Sequence, residues 1–194
     1  NVAPMQMVPA VVHDGEKLRM GHLRWGLVPS WAQDERMASR MINARAETLL
    51  ERPAFRRLLG RKRCLIPADS FYEWKAAGGR KQPLRIMMQD GSIFSMAALY
   101  DTWVHPVSGE KISTCTIITT APNALMAEIH NRMPVILDRE QEQIWLDRQL
   151  QDPHVLMSLL GPYPAEKMRA YPVSRRVGHV RNDGPELIEE CQDP

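Results

Sequence analysis

Short β-rich runs, separated by turns that glycine makes possible, set the main constraint on how this chain can fold. Alternating or β-branched stretches occur at 7–12, 18–28, 63–68, 70–75, 83–88, 93–104, 112–119, 134–137 and 168–173. Ala76-Ala77-Gly78-Gly79-Arg80 is a hairpin turn signal, because glycine accepts the positive φ such turns require. Asp90-Gly91 and Ser108-Gly109 are two more. Hairpins in succession demand a largely antiparallel sheet rather than a doubly wound parallel one. Helical patterns are fewer. Residues 44–59 read as one or two helices broken at Arg52-Pro53, since proline disfavours helix in the residue before it. Residues 122–130 carry proline near the first turn and Leu125, Met126 and Ile129 at helical spacing. Asp138 opens an N-cap signature ahead of Ile144, Trp145 and Leu146, and 153–160 is a fourth candidate. The expected class is α+β, in one domain over residues 1–194.

Composition narrows the function more than it names it. The 194 residues are 44% apolar and 25% charged, ordinary for a globule that buries its own core. No uninterrupted apolar run approaches the roughly 18 residues of a membrane helix. Three cysteines, Cys64, Cys115 and Cys191, are widely spaced and odd in number, which argues against a disulfide framework and for a reducing cytosol. The six histidines show no metal-ligand spacing, and Gly78-Gly79 lacks the ending of a phosphate-binding loop, so no metal and no cofactor are expected. A net charge of +2 does not by itself argue for nucleic acid. Its distribution is more suggestive: Arg52, Arg56, Arg57, Arg61, Lys62 and Arg63 form one basic group, and Arg175, Arg176, His179 and Arg181 another. Each is either a solvated face or, if the two converge, a surface for a phosphate backbone. The first residue is Asn1, followed by no signal-peptide pattern, so a processed or truncated start is expected.

Three polar clusters interrupt this apolar plan. Ile129-His130-Asn131-Arg132-Met133-Pro134 places an imidazole, an amide and a guanidinium between an apolar helix and an apolar strand. Such polarity is either a satisfied structural network or a site. His130 lies at a helix C-terminus, where it either caps the dipole or acts in chemistry. In Phe71-Tyr72-Glu73-Trp74, alternation puts Phe71 and Glu73 on one face and Tyr72 and Trp74 on the other. A carboxylate beside aromatic surface tends towards a raised pKa, which suits a general acid or base; the bland alternative is a salt bridge to Lys75 or an arginine. Asn43 either caps a helix or faces a ligand, and Arg45 and Arg132 offer planar forks to a carboxylate or a phosphate. Trp25 and Trp31 flank a Gly/Pro-bent loop, as core rings or as platforms on which bases stack.

Read in order, Asn1-Val2-Ala3-Pro4, Trp25-Gly26-Leu27-Val28-Pro29-Ser30-Trp31, Ile42-Asn43-Ala44-Arg45-Ala46-Glu47-Thr48, Arg63-Cys64-Leu65-Ile66-Pro67-Ala68, Tyr72-Glu73-Trp74, Ile129-His130-Asn131-Arg132-Met133-Pro134 and Val173-Ser174-Arg175 with Arg181-Asn182-Asp183-Gly184 resemble the SOS response-associated peptidase (SRAP) family of abasic-site processing proteins. The resemblance covers essentially the whole chain. It implies a bifurcated or barrel-like sheet with several surrounding helices. It also implies a shield for abasic sites in single-stranded DNA, in which an N-terminal cysteine attacks the ring-opened sugar aldehyde to give a Schiff base and then a thiazolidine crosslink. By motif, Asn43 would position that cysteine and the sugar, Glu73 would handle protons, and His130 would assist sugar opening and crosslink reversal. Arg45 and Arg132 would hold phosphates, Pro4, Trp31 and Trp74 would shape the groove, and Arg52 is expected to contact DNA. The family's Met-Cys start does not occur in these residues, and Cys64, Cys115 and Cys191 match no catalytic position. An omitted N-terminal segment is therefore expected.

Two other readings remain open: a thiol peptidase acting on its own start, and a noncatalytic module for single strands. A monomer is expected, in the cytoplasm of a bacterial or phage-like source, at the nucleoid when acting, with abasic single-stranded DNA as partner and no membrane or metal.

Overall fold

A computed structural model describes residues 1–191. Two β-sheets with short helices packed on them make up the molecule. The strands are β1 (Met7–His13), β2 (Leu18–Trp25), β3 (Asn43–Arg45), β4 (Arg63–Ala68), β5 (Ser70–Ala77), β6 (Arg80–Met88), β7 (Phe94–Val104), β8 (Lys111–Thr120), β9 (Met133–Pro134), β10 (Ile136–Leu137) and β11 (Met168–Pro172). The larger sheet runs β10-β7-β4-β1-β2-β8-β3, with β9 also on β8. Pairing of β7 with β8 closes β7-β4-β1-β2-β8 on itself, so the sheet is barrel-like, as expected. A three-stranded antiparallel sheet, β11-β6-β5, forms the second layer. The pairings are antiparallel except where β2 and β3 run parallel to β8.

Side-chain alternation along the shared strands separates two cores. Leu65, Leu99 and Ile118 pack with Phe55, Leu59, Trp145 and Leu156 from helices α1 (Pro53–Leu59), α3 (Arg139–Leu146) and α4 (Pro153–Ser158). Their neighbours Ile66, Ala98 and Ile117 point the other way, onto Ile86, Met88 and Met168 of the second sheet. A period of two thus gives one strand two apolar faces, each covered by a different layer.

The expected strands are present with small shifts at their ends, except that 134–137 is split into β9 and β10 by Val135. The β5–β6 hairpin turns at Gly78 and Gly79, both at positive φ (55° and 79°). The capping box at Asp138 holds: its carboxylate accepts from the Gln141 N–H, and the Gln141 side chain accepts from the Asp138 N–H. The helix expected from residue 44 does not form. Asn43–Arg45 is β3, parallel to Ile117–Thr119 of β8, followed by a single 3-10 turn at Ala46–Thr48. Helix begins only at Pro53, with Arg52 extended before it. Ala44 is buried and its neighbours exposed, so nonlocal pairing overrides the helix propensity of Ala, Arg and Glu. The helix expected over 122–130 is one short element, α2 (Ala124–Ala127).

The two basic groups sit on different layers. Arg63 is buried and donates to the carbonyls of Trp145 (2.5 Å), Leu59 (2.7 Å), Leu150 (3.0 Å) and Asp147, tying α1 to the end of α3. α1 packs on β7, whereas the turn carrying Arg175 and Arg176 packs on β6 of the other sheet. No helix among the described residues is long and apolar enough to cross a membrane, and no cluster of three metal-ligating side chains occurs among them.

Candidate functional site

At one end of β8 the two sheets meet around a cavity of about 300 Å³. Asn43, Arg45, Glu73, Thr119, His130 and Arg132 line it, over an apolar floor that includes Trp25, Phe71 and Met133. Each polar group arrives for a local reason. β3 places Asn43 and Arg45 two residues apart, hence on the same exposed face, with Ala44 turned into the core. β5 turns Phe71 and Glu73 into the cavity and leaves Trp74 facing out, 38% exposed. α2 is capped by Asn123, whose side chain accepts from the Met126 N–H (2.9 Å) and donates to the Tyr163 carbonyl (2.7 Å). The chain leaves α2 through a last hydrogen bond from the His130 N–H to the Met126 carbonyl (2.8 Å), which sets His130 at the cavity mouth.

Glu73 and His130 face each other, Oε1 to Nδ1 at 3.9 Å. Burial drives the Glu73 carboxyl above the usual carboxylate range; His130 and the Trp74 N–H oppose the shift without cancelling it. Lys75 and the arginines do not pair with Glu73 among the described residues, so the surface salt bridge gives way to a half-buried acid beside an imidazole. A carboxyl with a raised pKa beside an imidazole is the arrangement that general acid and base chemistry uses. His130 Nδ1 accepts from the Arg132 N–H (3.1 Å) and lies 3.2 Å from the Arg132 carbonyl oxygen.

Arg132 meets a different situation from the phosphate grip expected of it. Its guanidinium is bidentate to Glu47 (2.7 and 2.9 Å), and Nη2 also donates to the Thr119 carbonyl (2.6 Å). Arg132 holds the Glu47 carboxyl below its ordinary range. Thr119 did not stand out in the sequence, and Glu47 did so only as the end of the polar run Asn43-Ala44-Arg45-Ala46-Glu47, with no role of its own; its carboxylate reaches across to a turn 85 residues away.

A second cavity, of about 510 Å³, adjoins the first through shared Asn43 and Arg45. Trp31, Arg40 and Arg52 also line it, and among the described residues no carboxylate does. Trp31 is 54% exposed, an available ring rather than a core one. Arg40, Arg45 and Arg52 make no ion pair among the described residues. Arg40 was not picked out by sequence; it sits in an irregular 3-10 turn, Glu35–Arg40, with no periodicity to mark it. Trp25 is half-buried between structure and site, its indole N–H donating to the Ile42 carbonyl (2.9 Å). Pro4 and Trp74 are exposed and line neither cavity.

Two of the cysteines are inert. Cys64 and Cys115 are fully buried, and burial pushes both thiols up, Cys115 to about 12, so neither is a thiolate at neutral pH. Cys191 is half-buried beside β11, away from the cavity lining.

The family model described as SOS response associated peptidase (SRAP) matches residues 1–180. The chain is 53% identical over 190 residues to the abasic site processing protein YoqW of Bacillus subtilis, covering 97% of this chain and 84% of that one. It is 33% identical to the abasic site processing protein YedK of Escherichia coli, covering 97% and 83%. An X-ray structure of a protein from Bacteroides thetaiotaomicron superposes with a TM-score of 0.86 at 34% identity, covering 96% of this chain and 82% of that one.

Proposed function

This chain belongs to the SRAP family, and from that premise we propose that it processes abasic sites in single-stranded DNA by forming a covalent DNA–protein crosslink. The observation that carries the reading is the pairing of Glu73, an acid with a raised pKa, with His130 at 3.9 Å, in a cavity whose open side continues into a carboxylate-free, arginine-lined groove.

The nucleophile in this reading is an N-terminal cysteine, which brings an α-amine and a thiol on one residue. Buried Cys64 and Cys115 do not offer such a thiolate. The α-amine of that cysteine adds to the aldehyde of the opened sugar. Protonated Glu73 gives its proton to the carbinolamine hydroxyl, which leaves as water and yields the Schiff base. The thiol then adds to the imine carbon, its proton passing to nitrogen, and the thiazolidine ring closes. His130 assists ring opening of the sugar and the reverse reaction, and Asn43 aligns cysteine and sugar. Arg45, Arg40 and Arg52 take the phosphates of the strand, and Trp31 supports a base by stacking.

The full-length protein, mixed with a single-stranded oligonucleotide bearing one abasic site, is expected to give a band of reduced mobility that survives denaturing electrophoresis. An intact N-terminal cysteine with no such band would remove the proposal. The peptidase named in the family's description would draw on the same N-terminal nucleophile, and hydrolysis of added peptides by the full-length protein would favour it.

A further inference from the structure

We infer that Glu47 is a positioning residue: acting through Arg132, it fixes both the place and the tautomer of the His130 imidazole. The inference rests on the acid/base reading of the cavity. Four contacts hold the Arg132 side chain, two to the Glu47 carboxylate and two to Thr119, at its carbonyl and its hydroxyl. A bidentate carboxylate fork fixes a guanidinium in orientation as well as distance. Its Nη1 and Nη2 are thus engaged with the protein, and Nε is buried without a partner among the described residues.

The turn it anchors is the one that sets His130. Both main-chain groups next to Nδ1 belong to Arg132: its N–H at 3.1 Å and its carbonyl oxygen at 3.2 Å. They make opposite demands. The N–H requires a lone pair on Nδ1 and so puts the neutral ring's proton on Nε2. The carbonyl requires a proton on Nδ1. Which one prevails depends on how Arg132 sits, and the Glu47–Thr119 clamp decides that. Glu73 is the carboxylate facing the ring, on β5, and Arg45 is the other cation lining the cavity, on β3. With the N–H in place, Nδ1 is occupied and Nε2–H is the proton available for transfer. Glu47 itself does not line the cavity, so its effect on chemistry is indirect.

Long-range ¹H–¹⁵N spectroscopy of the uniformly labelled full-length protein, with the His130 signals assigned through His130→Gln, reads the tautomer without any DNA. In the wild type, Nδ1 is expected to resonate as an unprotonated acceptor and Nε2 as a protonated nitrogen. In Glu47→Gln, and in Arg132→Lys, which keeps the backbone N–H but loses the fork, the two nitrogen shifts should converge. Crosslinking should slow about tenfold to a hundredfold, with a displaced pH profile. If either variant folds and keeps the wild-type nitrogen shifts, even at a lower melting temperature, Glu47 is merely structural and the inference fails. Converging shifts in the variants, with no adduct from wild type, would uphold the positioning role and defeat the abasic-site reading instead.

Discussion

Glu73 illustrates how burial of one carboxyl ties stability to pH. Because its pKa in the folded protein is raised, the native state binds more protons than the unfolded chain between the ordinary glutamate value, near 4.5, and the raised one. Stability therefore falls as pH rises through that window. Glu73→Gln should be more resistant to urea than the wild type at pH 7, and this advantage should vanish at about pH 3, well below the ordinary glutamate value, where the carboxyl is protonated in both states. Glu47 has the opposite sign: its pKa is lowered, so its contribution is present above the unfolded value and fades as pH falls through the folded one. The pair is half exposed, so that contribution is below about 1 kcal/mol. Glu73 and His130 were readable in sequence because a carboxylate on an aromatic face and an imidazole at a helix end are locally anomalous. Glu47 belonged to a marked polar run, but its role was not readable, because among Ala, Arg and Thr it looks like any surface glutamate until the fold brings Arg132 to it.

Individual elements supply the rigidity these residues need. Asn123 both caps α2 and reaches the Tyr163 carbonyl, so Asn123→Ala should cost about 1 kcal/mol in urea unfolding and loosen the approach to His130. Arg63 joins α1, β4 and the end of α3 through four carbonyls; Arg63→Ala would leave those acceptors unpaired in a dry environment. About 3 kcal/mol of lost stability is expected, measured by the same titration, with the cavity residues untouched. The long strands were legible because alternation must match two separate cores. β3 was not, since its residues favour helix and only pairing with β8, far along the chain, makes them extended. The basic run at Arg52–Arg63 was likewise misleading: charge alone does not tell a buried arginine from a solvated one.

Across the whole molecule, the site exists only because two sheets meet. Glu73 belongs to the three-stranded sheet, whereas Asn43, Arg45 and Thr119 belong to the closed one, and His130 enters from the loop leading to β9. The groove beyond it extends the site along Trp31, Arg40 and Arg52. Replacing Arg40 or Arg52 by alanine should weaken binding of undamaged single strands regardless of sequence. The salt slope should fall by about 0.7 for each phosphate that is no longer neutralised, read from binding isotherms at several ionic strengths. The ordered motifs made the closed sheet and the acid/base pair foreseeable; the groove's full lining depends on how an irregular turn folds back, which no periodicity reports. Intact mass spectrometry of the full-length protein incubated with an abasic single strand tests the central claim most directly. A species one water lighter than the sum of protein and oligonucleotide, mapping to the N-terminal cysteine, is the predicted result. An unmodified protein, or an adduct at Cys64, Cys115 or Cys191, would contradict it.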